Sequence, residues 1–362
     1  RFYLTAAFLP PPPALQGEVV MSMKKPVKKT CHSKETGQRN QGLLSGFILL
    51  IATLLLVACS VERPHSILDP AGPAAGHIAT LWWQMFWVYA VVFIVTLSLL
   101  TLALRSRRRE GSPMGSRFVF AAGVAIPALI LVGMLILTLQ TMDNLQATAE
   151  DLNVKVISHH WWFEVQYPEQ GVVDANEIHV PVGSMVRFEL SAAGVIHSFW
   201  VPRLGGKRDM LPDYYTELYL QADEPGVYHG TCTEYCAGVH ALMGFRLVAH
   251  EPEDFSRWLE QAADPPPPPV EPQLQRGQEV FMRSGCAGCH TIKDVAPGTL
   301  GPDLTLIGGR RTLGAGTLEN SRGNLAGWIA NAQALKPGNE MPMSYLEPGD
   351  LHALVDYLWS LQ

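Results

Sequence analysis

Cys232-Thr-Glu-Tyr-Cys-Ala-Gly-Val-His-Ala-Leu-Met243 places two thiols, an imidazole and a thioether within twelve residues. Soft thiolate and thioether donors combined with imidazole suit copper electron-transfer sites. On the loop alone, a Cys232–Cys236 disulfide, a zinc site, and mere packing of His240 and Met243 stay open. Cys-x-x-x-Cys is common, and Cys-to-His spacings also occur in zinc sites. The flanking sequence has to decide.

On both sides lie short β-type runs. Gly226–Gly230 precedes the loop and Phe245–Ala249 follows it. Upstream come Asn153–Ile157, the aromatic segment His160-Trp-Trp-Phe163, Met185–Leu190 with Val186, Phe188 and Leu190 on one face, and Tyr214–Leu220. Short, evenly spaced strands separated by Gly, Pro and Asp turns predict an antiparallel sandwich or barrel over 150–262. The loop then joins two strands at one end of the sheets. A short polar helix is expected over 251–262, beginning near Pro252.

Toward the N-terminus the chain turns apolar. Hydrophobic residues make up 48% of the 362, and Leu81–Leu104 and Phe118–Thr141 are runs without a charge, each long enough to cross a bilayer. Trp82, Trp83 and Trp87 suit an interfacial belt, and the Arg-rich turn at 105–109 belongs inside by the positive-inside rule. A transmembrane hairpin over 78–142 follows, with everything after about 145 outside the cytoplasm. Residues 1–59 read as an extension followed by a lipoprotein-type leader: Lys24, Lys25, Lys28 and Lys29, the apolar run Leu43–Ala58, and Cys59 after a small residue. Met21 or Met23 is a more natural start than Arg1, and Cys31 is isolated. A net charge of −6 with only 27 Lys plus Arg gives no basic surface for nucleic acid.

Toward the C-terminus, Pro265–Pro269 in a linker over 263–272 marks a domain boundary, since such a run forms an extended spacer. The last section, 273–362, shows three helical patterns: Gln275–Arg283, Leu318–Gln333 and Pro348–Leu361. Between the first two lies Cys286-Ala-Gly-Cys289-His290, the covalent haem c attachment pattern. Two thiols one helical turn apart can each bond a vinyl group while the next residue lies under the iron. Lys336-Pro-Gly-Asn-Glu-Met341-Pro-Met343 resembles the ligand loop of small c-type cytochromes, with Met341 the first choice for the second axial ligand and Met343 its rival. Methionine opposite histidine raises the potential, as an electron carrier needs. Gly301-Pro302-Asp303-Leu304 resembles the segment that closes over the histidine side, and His352 reads as a surface helix residue.

From the hairpin to Ala249 the chain resembles subunit II of the haem–copper cytochrome c oxidases, and its C-terminal section is similar to members carrying a fused cytochrome c. The residues that carry this are Val195-Ile-His197-Ser-Phe-Trp-Val-Pro202, Leu204-Gly-Gly-Lys-Arg-Asp209 and the Cys232–Met243 loop. The resemblance implies a multidomain membrane protein: a two-helix transmembrane hairpin, an all-β cupredoxin-like Greek-key barrel and a small all-α cytochrome c domain. It implies the dinuclear copper centre CuA, bridged by the sulfurs of Cys232 and Cys236. His197 and His240 would each bind one copper, Met243 would be a weak axial ligand, and Glu234 would bind through its backbone carbonyl. The Glu234 carboxylate would reach a magnesium ion at the junction with subunit I, with Asp209 near by.

His159, His160 and Trp161 correspond to the segment through which the family receives electrons, with Phe163 where a second tryptophan is usual. The implied function is transfer from a soluble or membrane cytochrome c through haem c to CuA and on to the haem of subunit I. Oxygen is reduced there, with proton translocation, in a complex that includes subunit III. The implied location is the bacterial inner membrane, multi-pass, with both redox domains periplasmic. No histidine set in the membrane helices could hold an oxygen-reducing site on this chain. Many relatives carry a glutamate near the start of the second span; here Phe120 and its neighbours offer no acid, so no proton-path role is expected of this subunit. A nitrous-oxide reductase would need a large histidine-rich domain that is absent, and a quinol-oxidase subunit lacks the copper and haem ligands.

Overall fold

The computed structural model describes residues 65–105, 115–145 and 150–362. The extension and leader over 1–59, with Cys31 and Cys59, and the arginines at 107–109 lie outside these residues.

Helices α1 (Pro73–Arg105) and α2 (Ser116–Asn144) are 33 and 29 residues long, and each contains an 18-residue stretch of high mean hydropathy, 2.3 and 2.6. At about 1.5 Å per residue each exceeds the roughly 30 Å of a hydrocarbon core. Their apolar side chains face outward, with Phe93 and Leu129 among the most exposed, as lipid-facing residues must be. The aromatic group of the first span forms one contact cluster, Trp82 against Trp83 and Phe86, and Phe86 against Trp87. Within α2, Ala121–Ala125 widens to a π turn just before Pro127. Proline lacks an N–H and its ring strikes the carbonyl four residues back, so the helix relieves the clash there. The chain leading into α1 is stitched to the β domain: Ala71 N–H donates to Arg203 O at 2.8 Å and Ala75 N–H to Leu204 O at 3.1 Å. The first span therefore starts on the surface of the domain that follows the second.

That domain is two five-stranded sheets packed face to face. Sheet one runs β3 (Val172–Ala175), β2 (Trp162–Tyr167), β1 (Leu152–His159), β5 (Val186–Ala192), β8 (Thr216–Leu220). Sheet two runs β4 (Glu177–Pro181), β10 (Gly244–His250), β9 (Gly226–Cys232), β6 (His197–Trp200), β7 (Arg208–Met210). The expected all-β, cupredoxin-like architecture is present, with one difference from a purely antiparallel reading. β1 and β5 are parallel, as are β4 and β10. Long connections that cross between the sheets bring these strands in from the same end, whereas a hairpin would reverse them. Alternation puts Val154, Val156, Val186, Phe188 and Leu190 into the core with Phe163, Phe199 and Phe245. Helix α3 (Pro252–Ala263) is amphipathic, burying Phe255 and Ala262 under the sandwich.

The C-terminal section is built from α4 (Pro272–Arg283), α5 (Arg322–Leu335) and α6 (Pro348–Trp359), with two short ladders, β11 (Thr291–Ile292) with β12 (Ala296–Pro297) and β13 (Thr312–Leu313) with β14 (Leu318–Glu319). The middle helix starts four residues later than its apolar pattern suggests. Leu318 pairs with Leu313 in the β13–β14 ladder, and Ser321 caps the helix by accepting from Asn324 N–H at 3.2 Å. α4 crosses α6 at Gly277, where a Cβ would lie 2.1 Å from Ala353 O, so no other residue allows this approach. Val280, Phe281, Leu354, Val355 and Leu358 form the core there. His352 is exposed on the outer face, as expected.

This section is docked on the β domain. Leu306 belongs to the sandwich's own apolar cluster, and Ala315 packs with Trp162 and Ala175. Arg310 Nε donates to Asp174 Oδ1 at 2.6 Å, with both side chains buried, and Arg311 N–H donates to Glu177 Oε2 at 2.8 Å.

Candidate redox centres

Three neighbouring strands of sheet two end at one place. β6 begins with His197, β9 ends with Cys232 and β10 begins straight after Met243. The register puts Phe199 opposite Cys232 and Thr231 opposite Gly244. Cys232 N–H donates to Met243 O at 2.9 Å and closes the loop on itself. The side chains converge accordingly. Cys232 Sγ lies 3.9 Å from Cys236 Sγ, 3.8 Å from His197 Nδ1 and 3.3 Å from the backbone oxygen of Glu234. Cys236 Sγ lies 3.4 Å from His240 Nδ1 and 3.9 Å from Met243 Sδ. His197, Cys232, Cys236 and Met243 are all buried.

A sulfur–sulfur separation of 3.9 Å leaves both thiols free, about twice the bonded distance of a disulfide. A thioether and a main-chain carbonyl are not zinc donors, whereas two thiolates, two imidazoles and a weak axial sulfur suit copper. The donor set fits a copper pair. Burial, reinforced by the neighbouring Cys232, pushes the Cys236 thiol up to about 12, so its proton must leave as a metal binds. Burial and the surrounding imidazoles push His197 down to about 4, which keeps its ring neutral and able to coordinate. The Glu234 carboxylate points away, half exposed, with Lys207 Nζ 3.7 Å from it and 3.0 Å from Asp209.

The second centre is a cavity of ≈ 400 Å³ lined by Cys286, Cys289, His290 and Met341, and also by Trp161. His290 Nδ1 is 2.7 Å from Pro302 O, and because a carbonyl only accepts, Nδ1 carries the proton and Nε2 keeps its lone pair. Burial lowers the His290 pKa and so favours this neutral form. Gly301-Pro302 thus closes over the histidine as its sequence suggests. Met341 lines the cavity, whereas Met343 is 44% exposed and outside it. The residues fit a haem: Cys286 and Cys289 would attach it, and His290 and Met341 would supply ligands to its iron.

Trp161 stands between the two. Its Nε1–H donates to Cys236 O at 3.0 Å, and the residue also lines the cavity. The turn at Gly238, with φ +44, leaves room for it; a Cβ there would sit 2.0 Å from the indole. Trp161 is only partly exposed and packs against the sandwich core. Phe163 is fully buried in the sandwich core. His160 lies on the same turn, its Nδ1 3.9 Å from Glu340 and its ring 6.1 Å from that of His197. Sequence reasoning missed Lys336, Arg310, Asp174 and Glu177. Lys336 stands at the head of a recognised loop, but the cross-domain partners of all four are 134 to 175 residues away, and no local pattern marks such pairs.

Two family profiles match the chain: "Cytochrome C oxidase subunit II, periplasmic domain" over residues 170–249 and "Cytochrome c" over 274–362. The cytochrome c oxidase subunit 2 of Alkalihalophilus pseudofirmus is 35% identical over 333 residues, covering 87% of this chain and 96% of the relative. That of Bacillus subtilis is 31% identical over 346 residues, covering 87% and 97%. Among solved structures, the periplasmic domain of subunit II of cytochrome oxidase from Bradyrhizobium japonicum is 28% identical and aligns with a TM-score of 0.32, covering 32% of this chain and 96% of that one.

Proposed function

Because the chain belongs to the cytochrome c oxidase subunit 2 family and carries a cytochrome c domain, as part of a haem–copper oxidase complex, we propose that it relays electrons through a covalent haem c and a dinuclear CuA centre to subunit I. The observation that carries this reading is Trp161, hydrogen-bonded to the Cys236 carbonyl at 3.0 Å and lining the haem-site cavity. When bound, haem and the copper pair each accept and release one electron at a time.

The chain's own residues set the conditions for that exchange. Cys286 and Cys289 would hold the haem covalently, His290 would offer it Nε2, and Met341 would offer its sulfur from the loop before α6. Cys232, Cys236, His197 and His240 would hold the copper pair, with Met243 and the Glu234 carbonyl as weaker donors. Sharing one charge over two metals and two sulfurs would keep reorganisation small. Leu300 lines the haem-site cavity and is 78% exposed, which suits an external cytochrome c delivering electrons there. The Glu234 carboxylate and Asp209, bridged by Lys207, form the side that would face subunit I, where a magnesium ion would take the carboxylate. Subunit III completes the assembly in this reading. The two spans anchor the chain in the bacterial inner membrane with both redox domains periplasmic, and Cys59 would add a lipid anchor on the same side.

The test is optical and electron paramagnetic resonance spectroscopy of the copper-loaded, haem-bearing chain. Bands of a c-type haem together with a mixed-valence dinuclear copper signal are expected, and Cys236→Ser should abolish the second while leaving the first. A mononuclear copper spectrum, or zinc retained in preference to copper, would overturn the assignment.

A further inference from the structure

Lys336 is a charge that neither centre's ligand set accounts for. It occupies the C-terminal cap position of α5 and is 3% exposed. Its Nζ donates to Trp161 O and to Gly314 O, each at 3.0 Å, so one acceptor comes from the β domain and the other from the cytochrome domain. An ammonium has three N–H donors. One remains, and the side chain forms part of the wall of the haem-site cavity.

Among the described residues no carboxylate lies within ion-pair distance of it. Glu340, on the same loop, instead approaches His160 and is 68% exposed. Burying an ammonium without a counter-charge is strongly unfavourable. A neutral side chain could fill this space and reach one carbonyl at lower cost, so the charge itself needs a reason. Its position supplies one. The carbonyl it grips and the indole that donates to Cys236 O belong to the same residue, Trp161.

We propose that Lys336 is a positioning residue of the electron path: its ammonium clamps the Trp161 peptide to the wall of the haem-site cavity and holds a positive charge beside the haem, making that haem easier to reduce. The inference rests on the redox reading above. Its sign follows from charge balance. Each electron that arrives lowers the charge of the haem iron by one, a change that a fixed neighbouring cation favours. The other charged or titratable groups around this point are His160 on the β1–β2 turn, Arg310 on the loop before β13, Glu340 beside Met341, and Cys236. Arg310 is engaged by Asp174. Burial brings the Lys336 ammonium down to about 8, against the opposing pull of Cys236, so the cation is present at neutral pH and lost above that value.

The experiment is spectroelectrochemical titration of haem c and the copper centre in the full chain loaded with both, from below neutrality to well above the Lys336 transition, for wild type, Lys336→Met and Lys336→Arg. In wild type the haem potential should fall as pH passes about 8. Lys336→Met should start lower and lose that fall. Lys336→Arg should start near wild type and also lose it, because a guanidinium stays charged throughout. Flash reduction of the haem should show slower electron arrival at copper in Lys336→Met. Should Lys336→Met fold poorly, persistence of the transition in Lys336→Arg is enough to defeat the proposal. So is a Lys336→Met curve that superimposes on wild type, or an equal drop in both variants, which would mean packing rather than charge. A wild-type chain that takes up neither haem nor copper would sink the redox reading itself, and this inference with it.

Discussion

Met341 and Met343 stand two residues apart with the same side chain, and the backbone between Lys336 and Pro342 distinguishes them. Met341 N–H donates to Asn339 Oδ1 at 2.8 Å, and Gln333 Nε2 donates to Met341 O at 2.9 Å and to Asn339 O at 2.6 Å. One amide of α5 thus grips the loop from inside and holds Met341 at the cavity wall, while the chain beyond Pro342 turns Met343 out to 44% exposure. Met341→Ala should convert the haem to a high-spin or otherwise altered ligand state and lower its potential, since the thioether is the group that raises it. Met343→Ala should leave both unchanged. Absorption spectra of the oxidised and reduced proteins check this, and a ligand change in Met343→Ala alone would reverse the assignment.

Elements that alternate were legible in the sequence, and those whose burial depends on the docked domain were not. β1, β5 and β10 declare themselves by period-two patterns. β3 and β4 carry Asp174, Glu177 and His179, polar residues that read as loop, yet all three are buried. The cytochrome domain explains two of them, because Arg310 and Arg311 lie over Asp174 and Glu177. His179 has a different cover: Trp258 of α3 stacks on it at 3.9 Å and His250 is hydrogen-bonded to it at 2.7 Å. Likewise β6 and β7 are only four and three residues long, too short for a pattern, although His197 on β6 was identifiable from its motif. Removing one member of a buried ion pair leaves the other charge uncompensated, which costs about 3–5 kcal/mol. Arg310→Met should therefore lower the unfolding midpoint of the chain markedly and weaken docking, whereas Arg257→Met, which breaks an exposed pair with Asp254, should cost at most about 1 kcal/mol. Equal effects in the two variants, followed by thermal unfolding, would show that Arg310 does not hold the domains together.

At the scale of the molecule, the proline linker suggests a domain on a tether, and the structure shows one seated at a fixed place. The seat is made largely of buried groups: Arg310 on Asp174, Lys336 on the Trp161 carbonyl, and Gly244 N–H on Ala315 O at 2.9 Å. Composition reveals the span, sandwich and helical modules because each has its own hydrophobic period. It cannot reveal a seat built from residues more than a hundred positions apart. The distinction has a kinetic consequence. Ionic screening shortens from about 10 Å at 0.1 M salt to about 3 Å at 1 M, which weakens exposed charge pairs and spares buried ones. A tethered domain that docked through surface charge would spend less time on its partner as salt rises, and transfer to copper would slow. Here, flash reduction of the haem should be followed by first-order copper reduction with a rate independent of protein concentration and unchanged across that range of salt. Reduction of the haem by an external cytochrome c should still respond to salt, because that encounter takes place on an exposed surface. A haem-to-copper step that slows with salt in parallel with the external one would mean that the seat is not the conformation in which electrons move.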